Sequence, residues 1–279
     1  MQTSGEKEIV KYCVSSCQTS KKTIGFVPTM GALHQGHLEL VRKARQECDF
    51  VVVSIFVNPL QFNNPNDLLK YPRDLETDRR LLENENVDLL FTPSSEDFYK
   101  IQPSIQIEFG GLTSVLEGEM RPGHFSGVAV VVARLFHIVQ PTKAYFGTKD
   151  LQQVAVINKL IVDLDFSLEL VRCPTLRENS GLAMSSRNKR LSETGKETAS
   201  HLYQGIQIGM KAASYLSFSE SKTLVLNYLN KFPDIKIEYL EWVDANSFGR
   251  LFEKEKDKSP ALCVAAWVEG IRLIDNATL

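Results

Sequence analysis

TIGFVPTMGALHQGHLELVRKARQECDFVVVSIFV, residues 23–57, decides the fold. Thr23 to Thr29 reads as a buried strand, and Leu38, Val41, Ala44 and Cys48 recur at helical spacing, predicting a helix over Gly36 to Cys48. Asp49 to Val57 is rich in β-branched residues and has the length of a fully buried parallel strand. Strand, helix and strand in this order form a βαβ unit.

The alternation continues outward. Leu75 to Asn84 reads as a helix, Val87 to Thr92 as a strand and Phe125 to Val139 as a buried helix. Lys143 to Phe146 is a short strand, Lys149 to Leu164 a helix and Ser167 to Arg172 a strand. These predict an α/β domain, a Rossmann-like parallel sheet over residues 1–175. Beyond Cys173-Pro174 come two helical stretches, Ser192 to Ser214 and Glu220 to Asn230. Strand-like runs follow at Ile235 to Val243, Ala261 to Val268 and Ile271 to Ile274. That order predicts a smaller α+β C-terminal domain over residues 176–279.

The chain has 279 residues, 43% hydrophobic and 24% charged, which excludes a disordered protein. A net charge of −2 supplies no global attraction to nucleic acid or anionic membrane. No apolar run approaches the about 20 residues that span a bilayer, and no secretory signal is evident at the N-terminus. Five cysteines (13, 17, 48, 173 and 263), none in a C-x-x-C pair, fit reduced thiols and a cytoplasmic location.

Three stretches carry chemistry. Met30-Gly31-Ala32-Leu33-His34-Gln35-Gly36-His37 joins the first strand to the first helix. There Gly36 leaves room for a phosphate, the helix start offers free N–H groups, and His34 and His37 face one side. A metal pair is disfavoured, since no third ligand follows at a recognised spacing. Phe146-Gly147-Thr148-Lys149-Asp150-Leu151-Gln152-Gln153 again runs from strand to helix, with Lys149 as a point charge and Gln153 as a hydrogen-bonding group. A turn with Asp150 as a helix cap is the plainer reading of that stretch. Met184-Ser185-Ser186-Arg187-Asn188 suits a loop that closes on a polyphosphate, reached through a flexible approach at Arg177 to Gly181. The alternative for Arg187 is an ion pair with a surface carboxylate. Neither a Walker loop nor a G-x-G-x-x-G follows a strand, so a nucleotide must be held in another way. The proline-rich stretch Asn58 to Arg73 is long for a structureless connection and reads as a functional loop.

An H-x-G-H followed by a Ser/Arg loop resembles the nucleotidylyltransferase superfamily. VPTMGALHQGH, VNPLQF, YPRD, RPGHFSGV, FGTKDLQQ and GLAMSSRN, in that order over about residues 23–190, resemble the pantoate–β-alanine ligases. The resemblance implies an AMP-forming ligase that condenses pantoate with β-alanine through a pantoyl adenylate. It implies ATP as a substrate with Mg2+, no tightly bound organic cofactor, no nucleic acid or membrane partner, and a homodimer. By motif position it places Met30 to His37, Gly147, Thr148, Lys149, Asp150, Leu176, Met184, Ser185, Ser186 and Arg187 on ATP. It places Gln61 and Gln153 on pantoate, and Gln61 beside β-alanine as well. His37, His34, Lys149, Ser185, Ser186 and Arg187 would carry the chemistry, His37 as proton donor. Thr148, Leu151 and His137 depart from the family's usual Glu, Tyr and Asn. After Tyr71-Pro72-Arg73 the adjacent acidic residues common in the family are replaced by Glu76 and Asp78 around Thr77, which leaves a magnesium contact there in doubt. A different adenylate-forming or nucleotidyl-transferring enzyme of the superfamily is the alternative.

Overall fold

A computed structural model describes all 279 residues. The chain opens with strand β1 (Gln2–Ser4) and helix α1 (Lys7–Thr19), then β2 (Ile24–Thr29), α2 (Gln35–Glu47) and β3 (Phe50–Ile55). Short helices α3 (Pro65–Leu69) and α5 (Ser95–Phe98) flank α4 (Leu75–Asn84) and β4 (Leu89–Phe91). Next come α6 (Glu117–Met120), α7 (His124–Val139), β5 (Lys143–Gly147), α8 (Leu151–Asp163) and β6 (Glu169–Cys173). The C-terminal part holds α9 (Glu193–Ala212), α10 (Phe218–Leu229), β7 (Lys236–Asp244), β8 (Pro260–Val268) and β9 (Ile271–Thr278).

Six strands form one parallel sheet in the order β1-β4-β3-β2-β5-β6. β2 and β3 pair in register from Ile24↔Phe50 to Thr29↔Ile55, and their Val27 and Val51–Val53 are fully buried. After β2 the chain builds β3 and β4 to one side, and after β4 it crosses to β5 on the other. Ligands of such sheets bind beyond the carboxyl ends of the strands at this reversal. The loops leaving β2 and β5 are the two motif stretches, so topology brings residues 30–37 and 146–153 together. The second sheet, β7-β8-β9, is antiparallel, and α9 and α10 cover it through a core that includes Ile206, Val225, Trp242 and Val264.

Three expectations need adjustment. β1 and α1 had no counterpart in the sequence reading, because β1 is three polar residues long and α1 buries only Val10, Val14 and Cys17. β9 continues past Ile274 to Thr278, where polar Asp275 and Asn276 would read as its end. They face inward: Asp275 takes a bidentate ion pair from Arg177 at 2.6 and 2.9 Å, and Asn276 Nδ2 donates to the carbonyls of Thr148 and Lys149. The approach to the Ser/Arg loop is not loose. Arg177 also stacks on Tyr203 at 3.6 Å and donates to the Gly181 carbonyl, while Asn188 donates to Glu178 and the Ala183 carbonyl.

α7 lies against the sheet with most of its residues buried, and it carries the segment bearing Gln61. The contact is at Gly127, where an added Cβ would stand 2.4 Å from the Leu60 carbonyl oxygen and 2.8 Å from the Gln61 nitrogen. Gly127→Ala is therefore expected to push the Pro59–Gln61 turn off α7 at a cost of about 1–3 kcal/mol, as for other overpacked cores. Urea denaturation compared with Ala129→Gly, a substitution on the same helix without that contact, checks it; a loss no larger than that of the control would show the turn is free to move.

Candidate active site

The loop after β2 turns sharply because two successive residues, Gly31 (φ +83°) and Ala32 (φ +50°), are left-handed. Glycine adopts that conformation freely, whereas alanine needs support. Asp78 supplies it: its buried carboxylate accepts from the Ala32 N–H at 2.8 Å and the Leu33 N–H at 2.7 Å. α2 then starts in a capping box. His34 Nδ1 accepts from the Gly36 N–H at 3.1 Å, and His37 Nδ1 accepts from the His34 N–H at 3.4 Å. The rings lie against each other at a tilt of 34°, with centroids 4.0 Å apart. With both Nδ1 atoms accepting, each ring carries its proton on Nε2, which is then the donor available to a ligand.

Both rings are neutral. Burial, aided by the charge of Lys149, brings His34 down to about 4, and burial with His34 and Lys149 brings His37 down to about 3. The histidines are thus neutral N–H donors, and Lys149 is the charge beside them.

A cleft of about 240 Å³ opens over these rings, lined by Met30, His34, Gly36, His37, Gln61, Gly147, Lys149, Asp150, Gln153, Leu176 and Met184 to Arg187. A second chamber of about 380 Å³ continues between the two sheets and shares Phe62, Arg121, Lys149, Asp150, Ser185 and Arg187 with the first. Asp150 makes no side-chain cap on α8, so the plainer reading of that turn is not what the chain does. Adjacent glutamines part company. Gln152 is buried, with Nε2 donating to the carbonyls of Leu112 and Val115 and Oε1 accepting from Glu117 N–H, whereas Gln153 lines the cleft. Arg187 donates to Asp67 of α3 at 3.3 Å, the ion pair that the alternative reading of this residue anticipates.

Five residues expected on ATP do not line the cleft. The Ala32 and Leu33 amides are taken by Asp78, and Gly31 lies against a separate cavity behind the loop. Gln35 turns outward to Arg42, and Thr148 Oγ1 donates to the Cys173 carbonyl. Gly36 lines the cleft, and its lack of a side chain also admits the capping histidine, since a Cβ there would meet the His34 ring at 2.9 Å. Asp78, doubtful as a magnesium contact, faces the loop amides, and Glu76 pairs with Arg80 on the surface. Among the lining residues to which the sequence reading assigned no role are Asn58, Tyr71, Arg121 and His124. All four lie inside the quoted stretches VNPLQF, YPRD and RPGHFSGV, which was the signal available.

A model of the pantoate–β-alanine ligase family matches residues 2–278. A pantothenate synthetase of Cytophaga hutchinsonii is 49% identical over 92% of this chain and 92% of its own. One from Thermotoga petrophila is 47% identical over 98% of this chain and 97% of its own. Among solved structures, the pantothenate synthetase of Thermus thermophilus superposes with a TM-score of 0.93 at 42% identity, covering 99% of both chains. A pantoate–β-alanine ligase of Francisella tularensis, complexed with β,γ-ATP and β-alanine, superposes with a TM-score of 0.82 at 37% identity, covering 100% of this chain and 97% of that one.

Two outcomes follow from the loop. Asp78→Ala leaves two buried N–H groups unpaired and is expected to cost roughly 2–4 kcal/mol; an unchanged urea midpoint would show that the left-handed turn holds itself. The histidines set an acid limit. Unfolded, each titrates near about 6.5, but folded at about 4 and about 3. Between these values the unfolded chain binds more protons, so stability rises with pH and is lost as pH falls from about 6.5 toward 4. The slope in that window is expected to shrink in His37→Gln, measured by urea midpoints at each pH; parallel slopes would assign the acid sensitivity to other groups.

Proposed function

The chain belongs to the pantoate–β-alanine ligase family, and on that premise we propose how its cleft works. The reaction is the ATP-dependent condensation of (R)-pantoate with β-alanine to pantothenate. It runs through a pantoyl adenylate, with AMP and pyrophosphate as the other products. The observation that carries the assignment of residues is the meeting of the β2 and β5 loops at the sheet's reversal. That meeting sets His34, His37 and Lys149 in one cleft with Gln61 and Gln153.

Pantoate lies between Gln61 and Gln153. Neutral amides bind its hydroxyl and carboxylate without pairing the carboxylate to a cation, so the oxygen stays nucleophilic. That oxygen attacks the α-phosphorus of ATP, the bond to pyrophosphate breaks, and charge builds on the phosphoryl oxygens. The Nε2–H groups of His34 and His37 and the ammonium of Lys149 face that charge. Donors fixed in place beforehand lower the barrier without reorganising. Ser185, Ser186 and Arg187 hold the departing pyrophosphate. In the second step the β-alanine amine attacks the acyl carbon, the C–N bond forms, the C–O bond to AMP breaks, and the amine's proton passes to solvent or phosphate. No protein nucleophile is required. Neither step calls for an organic cofactor. The residues present build no protein cage for magnesium, since no three His, Cys, Asp or Glu side chains cluster to hold a metal. An ion arriving with ATP is held by phosphate oxygens and water.

Further readings rest on the family and on the sequence reading. We divide the chain into residues 1–175, which bind nucleotide and pantoate, and 176–279, which bring the Ser/Arg loop. We take it to act as a homodimer in the cytoplasm, with small molecules and no nucleic acid as partners. No helix is long and apolar enough to cross a membrane.

The test is to incubate the protein with ATP, magnesium and D-pantoate, with and without β-alanine, and identify products by mass. Pantothenate and AMP with all components are expected; no pantoate-dependent turnover would overturn the reading. In the same assay Arg187→Ala is expected to slow pantoyl adenylate formation by roughly 10²-fold. Attack of β-alanine on supplied pantoyl adenylate should change much less, because the pyrophosphate charge has gone. Equal losses in both steps would mean that Arg187 acts through its pair with Asp67 and not on pyrophosphate.

A further inference from the structure

Two carboxylates enter this cleft and need opposite treatment. Pantoate's must remain a free nucleophile, while that of β-alanine must be held and kept from attacking ATP itself. Resting on the function proposed above, we propose that Arg121 is the specificity residue that binds the β-alanine carboxylate and so masks it from adenylation.

Arg121 borders both chambers of the cleft, and its side chain is 24% exposed. Its guanidinium makes two long contacts, Nη1 to His124 Nε2 at 3.2 Å and Nη2 to the Gln61 carbonyl at 3.4 Å. A guanidinium has five N–H donors in a planar fork, so most of its bonding capacity is open. The nearest carboxylate, Glu117, is 3.8 Å away, beyond hydrogen-bond reach. Glu117 is already filled, accepting from Arg272 at 2.8 and 2.7 Å and from the Tyr239 hydroxyl at 2.8 Å.

The other cations of the cleft are accounted for. Arg272 is held between Glu117 and Glu238, Arg187 and Arg190 lie on Asp67, Lys149 sits by the paired histidines, and Lys70 is an ammonium without a fork. Arg121 is thus the fork left for a carboxylate away from the phosphoryl end. Burial foremost lowers its tendency to hold charge, Glu117 and Asp150 oppose that shift, and Arg187 and Arg272 add to it, so an entering anion favours the charged form further.

Its neighbours place that anion. His124 Nδ1 donates to the Gln61 carbonyl at 2.8 Å while its Nε2 accepts from Arg121, so this ring is neutral and offers an anion no donor. The Gln61 carbonyl ties Arg121 to the residue whose side chain flanks pantoate. β-Alanine is short, so a carboxylate on Arg121 leaves its amine beside the acyl carbon. A carboxylate in a bidentate pair has both oxygens engaged and is a poor nucleophile. The fork therefore suits the substrate whose carboxylate must stay inert.

The test compares β-alanine with n-propylamine, which has the amine and the chain but no carboxylate, both offered to supplied pantoyl adenylate. In Arg121→Gln, kcat/KM for β-alanine is expected to fall roughly 10- to 100-fold, the range for a lost charged hydrogen bond. The value for propylamine should fall much less, so that discrimination collapses. Arg121→Lys, which keeps the charge without the fork, should fall between. A parallel loss for both amines would give Arg121 a merely structural role and overturn the proposal, as would wild-type protein that fails to prefer β-alanine. Should Arg121→Gln not fold, the ratio in Arg121→Lys decides: a ratio equal to wild type overturns it. Pantoate-dependent ATP–pyrophosphate exchange needs no amine. Its absence in wild-type protein would mark failure of the functional reading rather than of the Arg121 assignment.

Discussion

The carboxylate of Asp78 under the first loop is the interaction on which the site depends. Two consecutive left-handed residues are unfavourable unless their amides find a strong acceptor. Asp78 reaches across from α4 and takes both amides that follow Gly31. Burial pushes its own carboxyl up, and the Leu33 and Ala32 amides oppose that shift. The result is a fixed turn that releases the chain at His34, where α2 can begin and both imidazoles lie against each other. A buried charge here acts through geometry, aiming two Nε2–H groups over the end of the sheet.

A second set of contacts joins the two sheets. Asn276 to the carbonyls of Thr148 and Lys149, and Arg272 to Glu117, cross from one part of the chain to the other, while Arg177 to Asp275 ties the approach to the Ser/Arg loop to β9. They surround the inner chamber, so the second sheet forms a wall of the cleft. Such pairs desolvate charge and add modest net stability. Their consequence is placement: the Ser/Arg loop and the β5 loop, which are distant in sequence, are held against one another.

On the function proposed above, the cleft separates its tasks electrostatically. Neutral donors and one lysine would meet the developing phosphoryl charge, neutral amides would flank the nucleophile, and guanidinium groups would meet charge that does not react. A neutral histidine donates one defined N–H, whereas an imidazolium in this buried place would carry a desolvation cost.

The βαβ reading of residues 23–57, the later parallel strands and the α+β ending all emerge in the structure, because burial of apolar residues at periods of 2 and 3.6 is written locally. The motif stretches likewise carried His34, His37, Gln61, Lys149, Gln153 and Arg187 into one cleft. β1, the inward-facing polar end of β9 and the pinned loop at Arg177 were not legible, since each depends on a partner far along the chain. The same holds for the packing of the His34 ring against Gly36. Residue type and spacing, by themselves, determined the fold class, and the resemblance of the motif stretches to the ligases supplied the family of chemistry. Tertiary structure alone decided which donors remain free. Ala32 and Leu33 lose their amides to Asp78, Glu117 is filled by Arg272, and Arg121 keeps an open fork, because hydrogen-bond partners are allotted by proximity in space and not by order in sequence.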